Sequence, residues 1–146
     1  MKKPFSYTEL IIPLVKKGKD YSDFLLPRVD HFFYGELIQG YATYPRKDDI
    51  QYHTTCSKNG SYEHIIQISS DSTHVELLKS DTIYFRLYAK IDSDVCVINV
   101  FDNSVVLTMS NREKFDSFFE NAESCLKEFK VIWNEIKILM LENNVK

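Results

Sequence analysis

Glycine, proline, cysteine and tryptophan are all scarce in this chain of 146 residues, with four, four, three and one copies. Every proline (Pro4, Pro13, Pro27, Pro45) and every glycine (Gly18, Gly35, Gly40, Gly60) falls at or before residue 60, and residues 61–146 contain neither. Linkers and low-complexity tracts are thereby excluded, and regular structure joined by tight polar turns is expected over the C-terminal part. Cys56, Cys96 and Cys125 are odd in number and not closely spaced, so they make no disulfide framework. No apolar run approaches the roughly 18 residues of a membrane span. The basic head Met1-Lys2-Lys3-Pro4 is not followed by a signal-peptide core, because Glu9 and Pro13 interrupt the apolar stretch and no small-residue cleavage site follows. A reducing cytoplasm is the expected home.

An excess of charge of one sign is missing too. The net charge is −3. Residues 1–60 carry nine Lys and Arg against seven Asp and Glu, and residues 61–146 carry nine against fourteen. Neither half is basic enough to track a phosphate backbone, so nucleic acid is not an expected partner. The acidic second half would suit a basic protein partner, although solvated acidic surfaces look the same in sequence.

What is present describes one globular domain over residues 1–146. Hydrophobic residues make up 44% and charged residues 27%. A chain of this length buries roughly 68–70% of its unfolded surface and needs no metal or disulfide to fold. Aromatics reach 14%, mostly Tyr and Phe, which favour strands.

Leu10, Ile11, Leu14 and Val15 have helical spacing, so residues 6–28 read as one or two short helices, the second ending before Pro27. Residues 31–44 read as a long strand and 50–56 as its return. Residues 61–80 fit either period, with Asp71 or Ser72 placed to cap a short helix through Val75, Leu77 and Leu78. Ile83, Phe85, Leu87, Ala89 and Ile91 alternate with Thr82, Tyr84, Arg86, Tyr88 and Lys90, the signature of a half-buried antiparallel strand. Residues 95–101 are apolar on both faces except Asn99, as in a central strand, and Asp102-Asn103 turns the chain into a partner over 105–109. Ser110 and Glu113 then form a capping-box pattern. Behind them Phe115, Phe118, Phe119, Ala122, Cys125, Leu126, Phe129, Ile132, Trp133, Ile136, Leu139 and Met140 predict one long helix. The expected fold is α+β: an antiparallel sheet of about five strands, with N-terminal helices and one long C-terminal helix packed on one face. The stripe would run about 39 Å, beyond the roughly 17–20 Å of a typical strand. Its far end, Trp133, Ile136, Leu139 and Met140, is therefore an expected homodimer contact.

Catalytic and metal motifs are few. His53 and Cys56 have metal-ligand spacing, but residues three apart on a strand point to opposite faces and no second pair follows, so no metal or other cofactor is expected. His31, His64 and His74 are scattered and read as surface or strand histidines. Cys96 and Cys125 read as small core hydrophobes. No Gly-rich phosphate loop, Gly-x-Ser-x-Gly or His-Glu-x-x-His occurs. One constellation remains. Tyr34, Tyr41, Tyr44, Tyr52, Tyr84 and Tyr88 come from expected strands, and Arg86 shares a face with Tyr84 and Tyr88. An aromatic sheet face bearing a guanidinium can line a small-molecule pocket, and Tyr34, Tyr52, Tyr84, Arg86 and Tyr88 are its candidate residues. The wet face of an ordinary antiparallel sheet has the same composition.

The order of elements resembles PAS- and GAF-like sensor domains. Within it, Val29-Asp30-His31-Phe32-Phe33-Tyr34-Gly35 and Lys114-Phe115-Asp116-Ser117-Phe118-Phe119 resemble the N-terminal sensor halves of some LuxR-type transcription regulators. The Trp and Asp-Pro pocket pattern of the acyl-homoserine-lactone binders of that family is absent, and no ligand residue carries over. The resemblance implies a sensing role. Three classes of function stand open on the sequence: a non-enzymatic, sensor-like binding module that dimerises through its last helix, a small acidic inhibitor or immunity-type protein that occludes a basic partner, and an enzyme using His53, Cys56 or Arg86.

Overall fold

The structure, a computed structural model, describes residues 8–16, 19–20, 22–33, 50–56, 62–69, 73–121, 126 and 128–142. Six strands follow one another as an antiparallel meander: β4 (Ile50–Cys56), β5 (Tyr62–Ser69), β6 (Thr73–Lys79), β7 (Phe85–Ile91), β8 (Asp94–Val100) and β9 (Ser104–Met109). A seventh, β1 (Thr8–Pro13), returns from the N-terminus to pair with β9, from Thr8 opposite Met109 to Pro13 opposite Ser104. The strand order is therefore β1-β9-β8-β7-β6-β5-β4. A small separate ribbon joins β2 (Val15–Lys16) to β3 (Lys19–Asp20). The expected sheet of about five strands is thus seven strands wide among the described residues.

Alternation writes the two faces. Val75 and Leu77, Phe85, Leu87 and Ala89, Cys96, Ile98 and Val100, and Val105, Leu107 and Met109 are buried. Their neighbours in each strand are only half-buried or exposed. The turns match their sequences. Asp92 adopts a left-handed φ of 55° in the two-residue turn between β7 and β8, a conformation Asp tolerates better than most residues. At Asp102-Asn103 the Phe101 amide donates to the Ser104 carbonyl at 2.8 Å.

All described helices cover the buried face. They are α1 (Ser22–Asp30), which winds on through 31–33, α2 (Arg112–Glu120) and α3 (Phe129–Glu142). Leu25, Val29, Phe32 and Phe33 anchor α1, and Phe115 and Phe119 anchor α2. Phe129 lies at the meeting point, its ring 5.6 Å from Phe32, 6.1 Å from Phe85 and 5.0 Å from Phe119. Trp133 stacks beside Phe119 at 5.0 Å and donates its indole N–H to Asp116 Oδ1 at 2.7 Å, which locks α3 to α2. No helix among the described residues is long and apolar enough to cross a membrane.

Six expectations change. Residues 8–13 are strand, not helix, because the antiparallel ladder with β9 pairs one edge of the backbone and buries Ile12 while Ile11 stays 70% exposed. The second N-terminal helix does form, but it runs past Pro27 to Asp30. Proline deprives a helix interior of one hydrogen bond, and here the buried Leu25 and Val29 on either side hold the turn. Residues 31–33 continue that helix and are no strand; 34–44 lie outside the described residues. Residues 73–79 are a strand, because β6 sits between β5 and β7 and its 75/77 alternation is buried on one side only. The C-terminal helix is two helices. α2 ends at Asn121, which caps it through a bond from its backbone N–H to the Ser117 carbonyl, and α3 starts at Phe129. The break lets the stripe fold over the sheet twice instead of overrunning it. The cap residue also differs from the expected Ser110. Asn111 accepts from the Lys114 amide, while Ser110 Oγ accepts from the Val95 amide and donates toward Asp94.

Candidate functional site

The exposed face of the meander is built from cross-strand rows. One row reads Ile65, Leu78, Arg86, Asn99, Val106 and Ile11; the next reads Gln67, Glu76, Tyr88, Val97 and Thr108; the third reads Ser69, His74, Lys90 and Val95. No described helix lies over these rows. In their middle is a shallow depression of about 660 Å³ lined by His74, Glu76, Arg86, Tyr88, Lys90 and Val97.

Two features shape its chemistry. The first is the state of Arg86. Its Nε–H donates to Asn99 Oδ1 at 2.7 Å across the β7–β8 ladder. Asn99, the one polar residue of the otherwise apolar run 95–101, is thereby explained: it orients the guanidinium without neutralising it. Among the described residues no carboxylate pairs with Arg86 or Lys90, and the four Nη hydrogens of the guanidinium have the geometry to take a carboxylate or phosphate. The second feature is a polar chain along the other side. Ser69 Oγ lies 3.0 Å from His74 Nδ1, and His74 Nε2 lies 2.8 Å from Glu76 Oε2. In the neutral imidazole, a carboxylate that only accepts places the ring proton on Nε2 and leaves Nδ1 to accept from Ser69. Gln67 Nε2 also donates to Glu76 Oε2, at 3.4 Å. The Tyr88 ring meets the imidazole edge-on at 6.2 Å.

Of the residues expected to bind a ligand, the structure brings Arg86 and Tyr88 together in the depression. Tyr84 is elsewhere. It precedes β7, leaves the alternation and packs against the core. Its hydroxyl donates to Asp30 Oδ2 at 2.6 Å, with Lys79 Nζ 3.6 Å from its ring centroid and 3.1 Å from Asp30 Oδ1. That trio ties the end of α1 to the sheet. Tyr52 lies on β4 opposite Ile66, three strands from Arg86; Tyr34 lies outside the described residues. Trp133, Ile136, Leu139 and Met140 are fully buried within a single chain, and α1 packs on α3. The apolar patch from which a dimer contact was argued is thus filled by the chain itself, since the helix folds back where a continuous one would have projected. What α3 leaves exposed is the opposite edge, Val131, Ile138 and Leu141.

His74, Glu76, Ser69, Lys90 and Asn99 were missed in the sequence. The signal existed: His74 and Glu76 are two apart, hence on one face once β6 is a strand, but a helical reading of 75–78 hid it. His53 and Cys56 lie on β4, and among the described residues no group of three His, Cys, Asp or Glu is close enough to hold a metal ion. The Cys96 thiol is pushed far up from its ordinary value by burial in the sheet core, so it is inert there. No protein-family model, curated protein or solved structure matches the chain.

Proposed function

We propose that this chain is a binding module whose exposed sheet face takes a small anionic ligand, one with a carboxylate or phosphate next to a planar ring. The observation that carries this is Arg86 held by the neutral amide of Asn99 at 2.7 Å, with no carboxylate paired to it among the described residues, in a depression shared with Lys90, Tyr88 and Glu76. The anion would sit on the guanidinium fork. The ring would lie on Tyr88 and Val97, and Glu76 would set specificity by repelling a second anion at that end. A sensor-like role fits a site on a rigid sheet that couples through β7 and β8 to the helices beneath.

An acidic inhibitor draws less support, because several acids of the second half are already engaged. Asp94 pairs with Lys114 at 2.7 Å, Asp116 with Lys137 at 2.9 Å, and Glu120 with Lys130 and Lys137 at 3.6 Å. The test uses benzoate and phenyl phosphate against the uncharged benzamide in thermal unfolding and calorimetry. A ligand at 100 times its dissociation constant stabilises by about 2.7 kcal/mol, a shift of several degrees. The anions should stabilise the protein and benzamide should not, and Arg86→Ala should abolish the effect. Equal responses to charged and uncharged probes, or none to either, would overturn the proposal.

A further inference from the structure

We infer that the Ser69–His74–Glu76 chain is an activated nucleophile, and that the same face carries out acyl transfer from esters. The inference goes beyond binding. Only its substrate class, esters bearing an anionic group, rests on the binding reading above. Three side chains from two adjacent strands stand in the order hydroxyl, imidazole, carboxylate, at 3.0 and 2.8 Å. The ladder fixes them: Ser69 is directly opposite His74, and Glu76 is two residues on along the same face. Glu76 is itself held by Gln67. Acceptance by Glu76 keeps the imidazole in the tautomer whose free nitrogen faces Ser69, which is the arrangement a general base requires. Ser69 is exposed and His74 and Glu76 are 34% and 40% exposed, so a reagent reaches the hydroxyl. Lys90 lies opposite His74 on β7, on the side away from Ser69.

The step balances without a cofactor. Ser69 Oγ bonds to the acyl carbon as its proton passes to His74 Nδ1. The ester C–O bond breaks and the leaving alkoxide takes that proton. Water, giving a proton to the same nitrogen, then bonds to the acyl carbon; the bond to Ser69 Oγ breaks, Oγ takes that proton back from Nδ1, and the acid is freed. Glu76 is a positioning residue, since it acts through His74.

The experiment is labelling with an uncharged fluorophosphonate, followed by mass spectrometry of the intact chain and its peptides. Serine displaces fluoride from phosphorus in that reaction, so it needs the nucleophile and base but no anion site. A failed binding reading therefore leaves this test standing. One adduct is expected, on Ser69. His74→Ala should slow labelling by about 100-fold, the usual contribution of a general base, with circular dichroism confirming that the variant is folded. Glu76→Gln should slow it as well, and Glu76→Asp should restore part of the rate, which a merely structural carboxylate would not do. No adduct, an adduct on other serines such as Ser104 or Ser110, or a Ser69 adduct indifferent to His74→Ala would each overturn the inference.

Discussion

Replacing Trp133 by alanine tests how the two C-terminal helices are held. The indole is fully buried, 5.0 Å from Phe119, and its N–H reaches Asp116 at 2.7 Å. A buried tryptophan removes about 150–250 Å² from water, worth about 4–6 kcal/mol at about 25 cal/mol per Å². Part of that is retained by the alanine methyl and by collapse around the cavity, so the expected loss is about 3–5 kcal/mol. The hydrogen bond adds little more. Asp116 is 42% exposed and keeps Lys137 at 2.9 Å, so it rehydrates when the indole leaves. Trp133→Phe, which deletes the donor but keeps most of the apolar surface, should cost about 1 kcal/mol. The assay is urea denaturation followed by far-ultraviolet circular dichroism, because Trp133 is the sole tryptophan and its fluorescence vanishes in the variants. A loss under about 1 kcal/mol from Trp133→Ala would refute the packing argument. The paired change Trp133→Glu with Ile136→Glu separates an internal core from an interface between chains. Two buried, unpaired carboxylates cost several kcal/mol each, against a typical total stability of about 5–15 kcal/mol. The variant should therefore be unfolded; a folded chain of half the wild-type mass in light scattering would show a dimer contact instead.

Phe129→Ala, at the junction of α1, α2 and the sheet, should cost about 3–5 kcal/mol in the same urea assay. Arg86→Ala, on the exposed face, should change the denaturation midpoint little, by under about 1 kcal/mol, since Asn99 faces water once the partner is gone. Acid should destabilise through Asp116, whose carboxyl is held below its usual 3.8 first by the Trp133 donor and then by Lys137. A carboxyl lowered in the folded state contributes stability that is complete above pH about 4 and lost as pH falls through the lower folded value, so Asp116→Asn should flatten the low-pH limb of the urea midpoint. Cys96 should resist alkylation in the native protein at neutral pH and react on unfolding, read by peptide mapping; native-state labelling would contradict its burial.

The C-terminal hairpins were legible because their signals are local: alternation over 83–91, an apolar strand marked by Asn99, and a two-residue Asp-Asn turn. The burial of Phe115, Phe119, Phe129, Trp133 and Ile136 was legible from their spacing. What was hidden depends on partners far along the chain. Leu10 and Ile11 have helical spacing, yet β9 makes residues 8–13 a strand. Val75, Leu77 and Leu78 suit a helix until β5 and β7 flank them. That error also hid the site, because His74 meets Ser69 and Glu76 only in a sheet. The helix break after Asn121 had no proline or glycine to announce it. Arg86 and Tyr88 were found from one strand alone, whereas Asn99 and Lys90 became functional candidates only through the ladder.

The closure of β1 on β9 has a consequence for synthesis on the ribosome. Pro13 pairs with Ser104 and Thr8 with Met109, so the first strand leaves the ribosome with its partner more than ninety residues away. At 5–20 residues per second that partner arrives roughly 5–18 s later. The meander can assemble hairpin by hairpin as it emerges, since each of its pairings joins neighbours in sequence. The segment Leu10-Ile11-Ile12 has to wait, apolar and unpaired, beside a growing chain of strands. Glu9 and Pro13 flank it, a charge and a residue that cannot donate to a ladder, both of which discourage pairing with the wrong edge in the interval.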